Sequence, residues 1–374
     1  MKTAVFTLIA LAVALVAPRA LAFPELIRHG YVHCTACHVS PAGGGLTTAY
    51  GRSLSKELLS RWAYEGEESL FHGAVNDTAI AKWVNAEEDT GLFVGGDFRV
   101  IQTHQENEFQ RKRAFFPMQT DLEAAYRTAF GSVGVTYGVE KRGELKTYTV
   151  RRWAFVIPAM EKIWIRAALG TPHFGLMTSE HNWAFRQDLG FGPLDRRHLG
   201  EAEYQGETWG ALIGASKSDD TLAQAARETS TYGTLDFIVN NNKKIGLDIW
   251  RGTFEGTERW LRGAHALVGW NEHVTTLAQF TVQNRKTAGS EQQSWYAFQK
   301  TSWEPSKGYW LSAILDAAQF DQANEKTLRT KYGPGFQFFP RPHWELQVAY
   351  LRVRDRQTSE QEGDEALMIL HYYL

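Results

Sequence analysis

Cys34-Thr35-Ala36-Cys37-His38 holds both cysteines of the chain in a C-x-x-C-H spacing. Two thiols three positions apart can each form a thioether to one vinyl group of a haem, and the histidine that follows is placed under the iron as its proximal ligand. The cofactor this implies is one covalent haem c, with Cys34, Cys37 and His38 as its binding residues. Such a site makes the chain an electron carrier more than a substrate-converting enzyme. Two other chemistries use the same side chains. Cys34 and Cys37 could form a redox-active disulfide, or hold a zinc ion, which usually asks for four ligands where the cysteines supply two. Haem is favoured because the motif contains every cysteine and follows an export signal, in a compartment where free thiols do not normally persist.

The sixth iron ligand is less sharply marked. His29, His33, His72 and His104 are the available imidazoles, and Met118 is the nearest methionine after the motif, at a long reach. His33 abuts Cys34 and is poorly placed to reach the opposite haem face. His72 is the candidate distal ligand: it follows an amphipathic segment, Ser53 to Phe71, with Leu54, Leu58, Leu59 and Trp62 at helical spacing. The ordinary reading of each of these histidines is a solvated surface side chain. Gly43-Gly44-Gly45 reads as a loop, since no Lys-Ser/Thr pair follows to make a phosphate cradle. Glu67-Glu68 and Asp219-Asp220 read as turn charges, and no G-x-S-x-G elbow is present.

The elements that must position the motif fall into three parts: residues 1–22, 23–88 and 89–374. Met1-Lys2, the apolar run Ala4 to Val16 and the small residues Ala20-Leu21-Ala22 read as a secretory signal peptide. That run is about 13 residues, short of the roughly 17–25 of a membrane-spanning helix. Residues 23–88 form the haem-binding head with its short helix. The chain has 374 residues, 43% of them hydrophobic, a net charge of −2 and 2 Cys. The charge balance argues against a nucleic-acid partner, and two cysteines cannot staple a disulfide scaffold. A mean hydropathy of −0.36 excludes a bundle of membrane helices yet suits a membrane barrel, whose lipid-facing and lumen-facing residues average out.

From about residue 90 the apolar pattern has period two. Val274-Thr276-Ala278-Phe280-Val282 alternates with Thr275, Leu277, Gln279 and Thr281, and Ile245-Leu247-Ile249 alternates with Gly246 and Asp248. Sixteen such segments follow one another, from 90–103 to 364–374. They are mostly 9 to 13 residues long, against about 5–6 for an ordinary strand. An even count, long strands and aromatics near strand ends (Trp250, Trp260, Trp270, Trp295, Trp303, Trp310 and Trp344) predict a mainly β chain, a transmembrane antiparallel β-barrel of about 16 strands. A soluble β-sandwich is the competing architecture. Thr171 to Gly200 breaks the alternation and reads as a long loop, folded into the lumen or lying outside it.

This order of parts resembles the fused cytochrome-porins of the bacterial outer membrane. The resemblance rests on layout and on Cys34, Cys37 and His38, with Phe23-Pro24-Glu25 before them and Leu46-Thr47-Thr48-Ala49-Tyr50-Gly51-Arg52 after. It implies a single haem at or in one barrel mouth, passing electrons across the outer membrane of a Gram-negative bacterium, with the head periplasmic or within the lumen. The implied partners are a periplasmic cytochrome or similar carrier, an extracellular electron donor or acceptor, and outer-membrane lipid; sixteen-strand porins are often homo-oligomers. The alternative function is a solute-selective porin whose cysteine pair is a redox or docking element, with the loop around Arg196-Arg197 setting selectivity.

Overall fold

A computed structural model describes residues 24–38, 46–63, 91–142, 145–178, 182–192, 195–219, 227–357 and 361–373. The signal-peptide segment 1–22, Gly43 to Gly45, Glu67, Glu68, His72 and Asp220 lie outside the described residues.

Sixteen antiparallel strands close into one barrel. The first eight are β1 (Gly91–Glu106), β2 (Arg111–Thr128), β3 (Gly131–Arg142), β4 (Leu145–Met160), β5 (Ile163–Gly170), β6 (Arg197–Gln205), β7 (Trp209–Ser218) and β8 (Thr229–Asn240). The rest are β9 (Lys243–Phe254), β10 (Thr257–Gly269), β11 (Val274–Thr287), β12 (Ser290–Ser306), β13 (Tyr309–Gln319), β14 (Leu328–Phe338), β15 (Trp344–Asp355) and β16 (Gly363–Tyr373). Strand β16 pairs with β1 from Asp97↔Tyr373 to Glu106↔Asp364, so no edge is left unpaired. Strands run from 8 to 18 residues, and about 9–11 tilted residues cross a bilayer. The expected barrel and its strand count are both realised.

Period two decides what faces where. On β9, Ile245, Leu247 and Ile249 are exposed outside, while Asp248 and Trp250 are buried inside. On β11, Phe280 is exposed while Thr275, Leu277, Gln279 and Thr281 are buried. The same holds for Leu311 and Leu315 on β13 and for Met368 and Leu370 on β16. The outside is therefore an apolar belt of the kind lipid covers. Among the described residues no helix is long and apolar enough to cross a membrane.

Two of the tryptophans expected near strand ends point inward instead. Trp250 and Trp310 are each 0% exposed, whereas Trp270 and Trp303 are exposed. Trp250 stacks on Tyr232 at 4.7 Å and meets Phe174 and Phe191 edge-on. Trp310 packs against Phe339 at 5.3 Å beneath the Arg28 guanidinium. An interior that needs large apolar fillers takes them from whichever strand points there.

The connections 129–130, 161–162, 206–208, 241–242, 270–273, 307–308 and 339–343 are short and share one end with the start of β1 and the close of β16. The connections 171–196, 219–228, 320–327 and 356–362 lie at the other end. The loop 171–196 turns inward. Its Phe174, Leu176, Trp183, Phe185, Leu189 and Phe191 are buried with lumen-facing residues of β8 to β13. A short helix, Ala184–Gln187, is held by Asp316, whose carboxylate accepts from the Ala184 amide at 3.1 Å. The reading of this segment as a loop folded into the lumen is correct; its last residues, Arg197 to Gly200, belong to β6.

Candidate functional site

The head enters the barrel through the short-turn mouth. A 3-10 helix, Pro24–His29, lies against β10 and β11 with Glu25, Leu26, Ile27 and Arg28 buried. Ion pairs fix it: Glu25 meets Lys300 at 2.9 Å, and Arg28 meets Glu304. Thr275 donates to the Glu25 carbonyl at 3.0 Å, and Ile27 joins the lumenal apolar cluster. The approach is close enough that a Cβ on Gly269 would lie 2.5 Å from Arg28 Cα.

The C-x-x-C-H segment follows as a single turn. Cys34–Ala36 is a 3-10 turn in which the Cys37 and His38 amides both donate to the Cys34 carbonyl, at 3.2 and 3.0 Å. His38 then forms a β-bridge with Thr47, and the Thr48 amide donates to the Cys37 carbonyl at 2.8 Å. Thr48 also caps the helix Ala49–Leu54, its hydroxyl accepting from the Gly51 amide at 3.1 Å. Gly51 has to be glycine here, because a Cβ would sit 2.5 Å from the Cys37 carbonyl oxygen.

Cys34 and His38 line a cavity inside the barrel with about 2510 Å³ of atom-free space, open to solvent. Cys37 lies behind the cavity wall, fully buried with Leu26, Leu54, Leu59, Trp310 and Phe339. Both cysteines are free thiols. Burial pushes the Cys34 thiol up to about 11, against the opposing pull of Lys244. Burial, and secondarily Cys34, push the Cys37 thiol higher still. For zinc, no group of three or more His, Cys, Asp or Glu arranged to hold a metal ion occurs among the described residues. Cys34, His38 and the adjoining space fit a haem held from one side, while the Cys37 side chain faces away from that space.

The strands opposite the motif give the cavity a charged but balanced wall. Arg151 meets Asp121 at 2.6 Å, Arg166 meets Glu201 at 2.6 Å, Arg152 meets Glu123 at 3.2 Å and Arg99 meets Asp97 at 3.0 Å. Arg196, expected to help set selectivity, pairs with Asp219 at 3.0 Å, and Arg197 lies over the Trp250 ring.

Within the described part of Ser53 to Phe71 the expected helix is cut short; residues 64 to 71 lie outside the described residues. Helix begins at Ala49, loosens into a π turn over Ser55–Leu59 and stops at Ser60. Beyond it the Arg61 and Trp62 amides donate to the Phe339 and Pro340 carbonyls, at 2.8 and 3.0 Å, so the barrel's own turn competes successfully for the backbone. Leu54 and Leu59 are buried as the periodicity implied, while Trp62 rests on Phe338.

Of the candidate distal ligands, His104 sits at the far end of β1 with Glu106 and Arg113, remote from the motif. Met118 is on β2, outside the cavity lining. His29 accepts from Arg28 at 3.2 Å, and His33 faces the Gly206 carbonyl at 3.1 Å. Four groups at the cavity were missed from sequence: His173 and Met177 in the inward loop, His265 on β10 and His371 on β16. For the first two, the break in alternation over that loop was the available signal.

No family model matches the chain, and no curated protein matches it. Solved structures do. The anion-selective porin from Comamonas acidovorans is similar with a TM-score of 0.59 at 10% identity, covering 76% of this chain and 100% of that one. The outer-membrane-expressed OmpT of Vibrio cholerae gives 0.56 at 6% identity, covering 78% and 100%. The outer membrane channel DcaP of Acinetobacter baumannii gives 0.55 at 10% identity, covering 78% and 99%. At these identities the likeness establishes the fold: a sixteen-strand barrel resembling outer-membrane porins.

Proposed function

We propose that the chain is an electron conduit of the Gram-negative outer membrane, with one haem c attached through Cys34 and Cys37 and His38 as its proximal ligand. The observation that carries this reading is that Cys34 and His38 open onto a large cavity inside the barrel. Attachment at Cys37 asks its side chain to turn out of the Trp310 cluster. The bound haem supplies one-electron chemistry.

The chain's own residues do the rest. The buried pairs Glu25–Lys300 and Arg28–Glu304 lock the head in the mouth, so the motif is held at one depth. The Arg and Asp/Glu pairs of the cavity wall supply fixed dipoles at near-neutral balance, a polar setting that tolerates a change of one charge at the iron. Loop 171–196 fills the opposite side of the lumen with apolar side chains and limits water there. The apolar belt supports placement in lipid. A periplasmic carrier would approach the short-turn mouth, and an extracellular donor or acceptor the long-loop end.

The test is a peroxidase haem stain of the outer-membrane fraction on a denaturing gel, with Cys34→Ala beside the wild type. Haem that survives denaturation at the mature mass and is lost in the variant supports the conduit. An unstained band from cells able to mature c-type cytochromes would sink it. The porin likeness and the arginine-lined cavity favour, as a second reading, a solute-selective channel. Steady single-channel conductance from unstained protein in planar bilayers is the result expected of that reading.

A further inference from the structure

We propose that His173, carried by the inward loop of the barrel, is the second axial ligand of the haem iron, with Glu203 as the residue that positions its ring; this rests on the haem reading above. Besides His38, four histidines among the described residues line the cavity: His33, His173, His265 and His371. Three are committed elsewhere. His265 has both ring nitrogens on carboxylates, Asp248 at 2.8 Å and Asp236 at 3.2 Å. His371 is likewise held between Glu345 at 2.8 Å and Asp97 at 3.1 Å. His33 adjoins Cys34 in sequence and faces the Gly206 carbonyl.

His173 is different. Its Nδ1 is buried without a hydrogen-bond partner and lies 3.8 Å from the Glu203 carboxylate, an ion-pair approach longer than a hydrogen bond, leaving Nε2 to serve as a donor atom. A carboxylate behind the distal ring nitrogen is the usual partner of a metal-bound histidine, fixing its tautomer and raising its basicity. His173 also lines, with Cys34, one smaller recess bounded by Val32, Glu203 and Lys244. Its backbone is pinned. The His173 amide donates to Glu201 at 2.9 Å, Gly175 to Asp248 at 3.2 Å and Leu176 to Gln279 at 2.7 Å. Three strands therefore hold this short segment, as a ligand presented from a rigid support requires. Met177 is the competing donor. Its sulfur already accepts from Arg186 at 3.4 Å, which draws on the electron density a metal bond would use.

The experiment uses the full chain, matured with haem and purified in detergent, and reads absorption and electron paramagnetic resonance spectra of the ferric protein. Covalent haem is quantified in each sample by the pyridine haemochrome method. The wild type should be low-spin. His173→Ala should keep its covalent haem, lose the low-spin signal and regain it on adding imidazole. Glu203→Gln should stay low-spin with a raised reduction potential, since a neutral partner makes the ring a weaker donor. If His173→Ala does not assemble, judged by heat-modifiable gel mobility, His173→Met replaces it and should show methionine–iron charge-transfer absorption. A His173→Ala protein that stays low-spin overturns the proposal, as does loss of the low-spin signal in Met177→Ala alone. Wild type without covalent haem overturns the haem reading itself, and this assignment with it.

Discussion

The two sides of the lumen are built on the same wall and filled in opposite ways. Strands β8 to β13 point Tyr232, Trp250, Leu261, Leu277, Tyr296 and Phe298 inward, and the loop 171–196 and Ile27 of the head pack onto them. Strands β1 to β5 point Asp97, Asp121, Glu123, Thr136, Arg151 and Arg166 inward, and there the cavity stays open. Pairing, twist and the apolar exterior are common to both. The difference lies only in the inward residues: large apolar groups collapse a loop onto the wall, whereas ion-paired groups satisfy one another across neighbouring strands and need no cover. A barrel can thus be a solid core along one side and a chamber along the other.

That contrast can be broken from either side. The largest effect is expected from Trp250→Ala, which removes the ring that Tyr232, Phe174 and Phe191 share and should cost about 3–5 kcal/mol. Denaturant unfolding of the detergent-solubilised barrel would measure it, and an unchanged midpoint would mean the loop does not depend on the wall. Glu304→Ala strands the buried Arg28 guanidinium and should weaken head docking by about 3 kcal/mol, seen as faster protease cleavage between the head and β1. Unaltered cleavage would show that apolar contacts alone retain the head.

A smaller effect should follow pH. Burial, then Arg28, lowers the His29 pKa from its ordinary 6.5, against the pull of Glu304 and Glu272, with His273 adding to the lowering. The docked head therefore favours the neutral ring. Its penalty is absent above about 6.5 and grows as pH falls through that value, because the released head takes up the proton more readily than the docked one. Protease sensitivity should rise between pH 7.5 and pH 5.5 on the order of a few-fold, and less so in His29→Gln; equal profiles would remove His29 as the cause. The smallest change is expected on the chamber side. Thr136→Ala deletes one hydrogen bond to Glu123 and should cost about 0.5–1.5 kcal/mol. A larger loss in that variant would show the chamber wall to be as tightly coupled as the packed side.

Much of this was legible in advance, and the reasons are local. Period-two alternation is a property of neighbouring residues, so Ile245-Gly246-Leu247-Asp248-Ile249 announces its two faces without any partner strand. The break at Thr171 announces a departure from the wall by the same logic. The helix expected from Ser53 onward stops at Ser60 within the described residues because its spacing is satisfied by burial alone. Leu54 and Leu59 are buried, but the backbone after Ser60 pairs with Phe339 and Pro340, which no local pattern records. The aromatic girdle failed at Trp250 and Trp310 for a related reason: a tryptophan near a strand end suits a lipid interface and a packed lumen equally well.

By itself the sequence determined what depends on chemistry along the chain: the strand count, the faces, the closed antiparallel barrel and the C-x-x-C-H donor set. Only the tertiary structure decided what meets that donor set. Closing sixteen strands brings Cys34 and His173, with β1 to β5 between them in sequence, to one recess, while His104 on β1 is carried to the far end. Barrel closure is a global constraint: each side chain's depth and angle follow from the register of every strand pair. A motif can be named to the nearest residue and still leave its surroundings to whatever the closed wall places there.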